Sequence, residues 1–195
     1  SQEELVPMIS LRLLVVAPQP GMIGGVSTFA NTLCAYMGER HKVVRAAVGQ
    51  DQSSLPLPLR LLRDGWRLMR QIRGLRPDVV LLNPSFDNAI LRDAFYLQLI
   101  RLVHRGVIVV FNHGWGTSYP ERVGRSPFLR FLGRLLFGHV ERIYVLGQAR
   151  REILLAWRFD AGQVVATTTM YDHRQFDGLA RLRRTTSERQ SIRLL

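Results

Sequence analysis

Short apolar runs alternate with longer amphipathic segments along this chain. Runs at Arg12–Ala17, Lys42–Val48, Val79–Leu82, Val107–Phe111, Arg142–Leu146 and Gln163–Ala166 have the length and β-branched content of strands. Between them, Val26–Gly38, Leu59–Gly74, Asn88–Arg105, Ser126–Gly138 and Gln148–Phe159 repeat apolar residues at helical spacing. Continuous runs such as Val107-Ile-Val-Val110 suit parallel strands buried on both faces. The alternation predicts an α/β fold with a doubly wound, mostly parallel, Rossmann-like sheet flanked by helices. In such folds ligands sit beyond the carboxyl ends of the strands. The loops Pro18–Gly25, Asn83–Asn88, Asn112–Gly124 and Gly147–Arg150 are therefore where chemistry is sought.

Those loops hold the unusual residues. The first carries Gly24-Gly25 at a strand-to-helix junction, where glycine serves either to turn the chain or to let backbone amides approach an anion. The third carries Asn112-His-Gly-Trp-Gly-Thr-Ser-Tyr119. His113, at a strand's end and beside glycine, can bond a substrate hydroxyl or exchange a proton near neutral pH; the alternative is a structural histidine bonded to loop carbonyls. His41, His104, His139 and His173 lie in helix ends or polar segments and read as solvated.

Several chemistries have no footing. The five histidines are scattered, so no metal site is expected, and no cofactor is implied. There is no nucleophile elbow, no Gly-Lys-Ser/Thr phosphate loop and no complete Gly-x-Gly-x-x-Gly fingerprint. Cys34, the single cysteine, reads as a small core residue. No apolar run reaches the roughly 18 residues of a membrane span. The start Ser1-Gln-Glu-Glu4 lacks a signal pattern, so the expected location is the cytoplasm. The net charge of +12 comes almost wholly from arginine, since Lys42 is the one lysine, and it predicts attraction to phosphate-bearing partners. No helix-turn-helix or RNA-binding motif is present, so nucleic acid is not an expected partner.

Gly24-Gly25-Val-Ser-Thr-Phe-Ala-Asn-Thr-Leu33, Arg76-Pro-Asp-Val-Val-Leu-Leu82, Val107-Ile-Val-Val-Phe-Asn-His-Gly114 and Ile143-Tyr-Val-Leu-Gly-Gln-Ala-Arg-Arg-Glu-Ile-Leu154 occur in this order. Together they resemble the N-terminal domain of the family 4 glycosyltransferases. The resemblance implies the acceptor-binding half of a GT-B enzyme, a transferase that moves sugar from a UDP- or GDP-linked donor with retention. It implies Gly24 and Gly25 near the donor diphosphate and His113 near the transferred sugar. Asn83, Ser85, Trp115 and Tyr119 are candidates for contact with a glycan or lipid-linked acceptor. The sequence departs from the family where Asn83-Pro84 stands in place of a histidine after the Pro-Asp strand, and where Thr169-Met-Tyr-Asp172 replaces an Asn-Gly-hydrophobic-Asp element.

Residues 1–10 read as a tail, 11–178 as the Rossmann-like domain, and 179–195 as a linker entering a further domain. Without that donor-binding domain the chain is expected to be inactive alone. The rival reading is a non-enzymatic Rossmann-like module binding nucleotide, nucleic acid or anionic lipid. One segment admits two readings of its own. Pro127–Phe137 sets Phe128 and Phe131 beside Arg130 and Arg134. Such a helix can cover a sheet with its arginines snorkelling at the edge, or lie on an anionic membrane surface as a peripheral anchor at the inner face of the plasma membrane.

Overall fold

The computed structural model describes residues 10–20, 24–48, 56–86, 90–115 and 118–168. In chain order the elements are β1 (Arg12–Ala17), α1 (Gly25–Gly38), β2 (Lys42–Ala47), α2 (Leu57–Leu75), β3 (Val79–Leu82), β4 (Ser85–Phe86), α3 (Ile90–Val103), β5 (Val107–Asn112), β6 (Gly114–Trp115), α4 (Tyr119–Arg125), α5 (Pro127–Phe137), β7 (Arg142–Leu146), α6 (Gln148–Ala156) and β8 (Val164–Thr167). Six strands form one sheet in the order β2-β1-β3-β5-β7-β8. Every neighbouring pair is parallel, as the β-branched runs predict. The short β4 and β6 pair separately, Ser85 with Gly114 and Phe86 with Trp115, and so join the loops that leave β3 and β5.

Successive strand residues face opposite sides of a sheet, and the core divides accordingly. Leu14, Val16, Val80, Leu82, Val110 and Ile143 meet α2, α3, α5 and α6 through Leu68, Ile72, Leu97, Ile100, Phe137 and Leu154. Val15 and Ala17 meet Ala30, Leu33 and Cys34 of α1 on the other side. Cys34 is thus a partly buried packing residue, and its burial raises the thiol pKa. On the first side α2 and α3 approach closely at Gly65, where an added Cβ would stand 2.5 Å from Leu99 Cδ1. A side chain there would have to displace Leu99.

The segment after His113, which reads as a loop in the sequence, contains α4. Its seven residues carry Pro120 in the first turn and only Val123 buried, too few apolar positions to set a period. Residues 169–195, with His173, the Thr169–Asp172 element and the linker, lie outside the described residues, as do residues 1–9. One expectation is corrected. His104 is buried rather than solvated, its Nε2 3.2 Å from the Val107 carbonyl oxygen, because the α3–β5 connection folds back over it. Of the other histidines, His41 is partly buried and faces the Leu11 N–H across 3.4 Å, whereas His139 is exposed.

Two local arrangements fix the ends of elements. At the amino ends of the strands, Asp78 accepts hydrogen bonds from the Arg12 N–H (2.8 Å) and guanidinium (2.9 Å), tying β1 to β3. These bonds hold its carboxyl down at about 2. At the end of α6, Arg158 N–H bonds the Leu155 carbonyl and Phe159 N–H bonds the Leu154 carbonyl, at 2.8 and 3.1 Å. That pattern is a Schellman ending, and the residue in its left-handed position is normally glycine. Here it is Arg158, at φ 66°. A side chain in that conformation costs about 1 kcal/mol.

Candidate functional site

The carboxyl ends of β1, β3, β5 and β7 open onto one rim, and each sends a distinctive loop into it. Gly24 caps α1 at φ 155° and ψ 155°, a conformation that favours glycine. It offers no side-chain cap, and the first turn of α1 holds no acidic residue, so the amides there keep their positive end available to an anion. A Cβ at Gly24 or Gly25 would meet nothing within 4 Å, so the protein's own packing does not require small residues there. The loop before them is secured from β2. Arg45 donates to the Pro18 carbonyl and to Asn31, and Ser27 donates to the Gln19 carbonyl at 3.4 Å. Arg45 carries no recognisable signal in a chain so rich in arginine.

His113 leaves β5 on the α1 side. Its ring packs against both Phe29 of α1 and Phe111 of β5, with centroids 4.1 and 4.6 Å away, and those two rings also touch each other at 4.2 Å. Burial, reinforced by the nearby Arg150 charge, pushes its pKa down to about 4. The imidazole is therefore neutral at physiological pH, one nitrogen a donor and the other an acceptor. Its Nε2 is buried with no hydrogen-bond partner among the described residues. Arg150, in the first turn of α6, donates to the His113 carbonyl at 3.0 Å and so fixes the backbone of this loop from the neighbouring crossover.

Asn83 and Asn112 lie at the same rim. Asn112 is fully buried, its amide donating to the Pro84 carbonyl at 3.1 Å while Oδ1 has no partner among the described residues. Asn83 is buried with both amide atoms unpaired among those residues. An unpaired polar atom in the interior costs about 1–3 kcal/mol, so several at one rim are a reservoir of binding chemistry. In the sequence, Asn112 is a polar residue ending an apolar strand, a signal that marks it only as a neighbour of His113.

The remaining sequence candidates divide. Ser85 lies in β4 beside this rim. Trp115 and Tyr119 instead gather around Trp157, with centroids 5.2 and 6.4 Å away, and pack against the large core cluster. They belong to that aromatic cluster rather than to the His113 stack. Phe128 and Phe131 are 69% and 54% exposed on α5, outside the core clusters, while Arg130 and Arg134 are partly buried beside them. No group of acidic, histidine or cysteine residues among the described residues could hold a metal ion. No described helix is long and apolar enough to cross a membrane.

A parallel sheet in this order, with a glycine-led helix and a strand-end histidine at its carboxyl rim, defines a Rossmann-like domain with the architecture of one half of a GT-B protein. Among solved structures the chain is similar to UDP-N-acetylglucosamine 2-epimerase from Rickettsia bellii, with a TM-score of 0.59, 11% identity, and coverage of 92% of this chain and 50% of that one. Weaker likenesses are to Anabaena Alr3699/HepE in complex with UDP and glucose (TM-score 0.48, 13% identity, 89% and 49% covered) and to Acinetobacter baumannii MurG (0.46, 13%, 84% and 46%). The chain spans about half the length of these structures. At such identities the likeness concerns the fold. No protein-family description and no curated protein matches the sequence.

Proposed function

We propose that this chain is the acceptor-side domain of a retaining, nucleotide-sugar-dependent glycosyltransferase, working with a second domain that closes over the rim. The observation that carries the reading is the set of buried polar atoms on Asn83, Asn112 and His113 that have no partner among the described residues, at the rim onto which the amino end of α1 opens. The helix end and Gly24-Gly25 suit a diphosphate, which needs several backbone donors and a positive dipole. The neutral His113 suits a sugar hydroxyl, to which it can donate or from which it can accept without carrying charge. Asn83 and Asn112 add amide groups of the kind that read hydroxyl patterns, and Ser85, Trp115 and Tyr119 would border the acceptor. A nucleotide sugar also agrees with the name of the 2-epimerase that shares the fold.

The test is kinetic, on the full-length protein. His113→Ala should lower kcat by about 100-fold or more while leaving the far-UV spectrum and melting temperature near those of the parent. Near-normal turnover would make His113 a structural residue. Nucleotide binding by the full-length parent without transfer to any acceptor would favour the binding-module reading instead.

A further inference from the structure

Helix α5 presents three distinct surfaces besides the buried Phe137. With about 100° between successive residues, Phe131, Leu135 and Phe128 fall on one arc. All three are more than half exposed. On one flank of that arc, Leu129, Leu132 and Leu136 join Ile90 and Tyr119 in lining an apolar cleft of about 220 Å³. On the other, Pro127, Arg130 and Arg134 join Trp157 and Arg158 around a polar cleft of about 180 Å³.

The polar cleft is unusual in charge and in construction. It is lined by three arginines and no acidic residue. Among the described residues none of the three has an ion-pair partner, and Arg134 Nε is buried without a hydrogen bond. Asp160, the nearest acidic residue in sequence, is turned to the Gly162 N–H at 2.8 Å. Arg158 reaches the cleft from the left-handed position of the α6 ending, where glycine would be the relaxed choice. Three guanidinium groups brought to one cleft with no acidic partner among the described residues are what an anion-binding cleft requires.

From the exposed aromatic arc and the adjoining arginine cleft, we infer that α5 with Arg158 docks on an anionic phospholipid bilayer, the three guanidinium groups taking a lipid phosphate and Phe128, Phe131 and Leu135 entering the acyl boundary. Charge selects the surface: unneutralised arginines attract an anionic headgroup layer, and large apolar side chains beside them gain by leaving water. The arginine cleft shares Trp157 with the Trp115–Tyr119 cluster, but none of its lining residues belongs to the His113 stack, and the docking does not depend on any transferase activity.

The test uses sedimentation with phosphatidylcholine vesicles with or without phosphatidylglycerol, over a salt series. The parent should bind only the anionic vesicles and release with rising salt. Arg158→Gly, which relaxes the backbone, should melt no lower than the parent yet lose about fivefold in vesicle partitioning, as should Arg130→Gln. Phe131→Ser should weaken partitioning without altering the salt slope. Equal binding to neutral vesicles, no vesicle binding, or undiminished binding by a folded Arg158→Gly protein would each overturn the proposal. So would saturation of the cleft by inorganic phosphate, seen in the arginine side-chain resonances, in a protein that ignores anionic vesicles; that result would mark a soluble phosphate compound as the ligand.

Discussion

Arg150 holds the main chain of His113 from the next crossover, its guanidinium donating across 3.0 Å to the histidine carbonyl. The position of the imidazole thus depends on α6 as well as on β5 and α1. The same charge also helps to keep the ring neutral. Arg150→Ala should raise the His113 pKa part of the way towards its ordinary value, leaving the desolvation of the ring in place. A proton NMR titration of the ring resonances reads this directly. An unchanged midpoint would mean that burial alone sets the protonation state.

The depressed His113 pKa carries a stability consequence with a definite sign. Between about 6.5 and about 4 the unfolded chain binds a proton at this histidine and the folded chain does not. Stability from this group is therefore fully present above the unfolded value and is lost as pH falls through that window. After allowance for the partial exposure of the ring, the loss is on the order of 2 kcal/mol. Urea unfolding at both ends of the window should show it, and His113→Gln should flatten the dependence. Asp78, held at about 2 by Arg12, contributes only at lower pH.

Gly25 offers a clean separation of folding from ligand approach. A methyl group there meets nothing within 4 Å, and alanine is the better helix former by up to about 1 kcal/mol. Gly25→Ala should melt at or slightly above the parent temperature. In the full-length protein it should weaken nucleotide-sugar binding by about tenfold, because the methyl stands where a diphosphate would approach the amides. Calorimetric affinity equal to that of the parent would remove Gly25 from the site.

Tyr96 makes the opposite point, that not every orphan polar atom is functional. It is fully buried in α3, its hydroxyl has no hydrogen-bond partner among the described residues, and desolvation, with Asp64 second, pushes its pKa up to about 12. It lies within the core cluster on the α2–α3 side rather than at the rim. Tyr96→Phe should leave stability unchanged or raise it by up to about 1 kcal/mol, measured by thermal or urea unfolding. A clear loss would reveal a bond that the hydroxyl makes in solution.

The sheet is legible in the sequence because burial on both faces writes strands as unbroken apolar runs. β1, β3 and β7 fall on their predicted residues, and β5 and β8 shift only by one. The short elements are not legible. α4 buries one residue and β4 and β6 are two residues each, so none leaves a period to detect. His113 and the glycine pair stand out because histidine and paired glycines are rare at strand ends. Arg45, Arg150 and Arg158 do not, since their roles depend on which carbonyl or cleft each reaches, and nothing local distinguishes them among so many arginines. The helical spacing overruns the end of α6 for a related reason: its stop is made by an arginine in a conformation that sequence reading assigns to glycine.

The pairing of Asp78 with Arg12 has a last consequence for how such a domain can change. It fastens the strand register at the amino rim, farthest from the loops that carry His113, Asn83 and Gly24. One edge of the sheet is tied strand to strand, while the other is tied through its loops by Arg45, Arg150 and the β4–β6 pairing. Insertions, deletions and side-chain exchanges at the carboxyl rim can then accumulate without unpairing the strands beneath them. A domain fastened in this way is suited to diversification, with new ligands acquired by exchanging loops on an unchanged base.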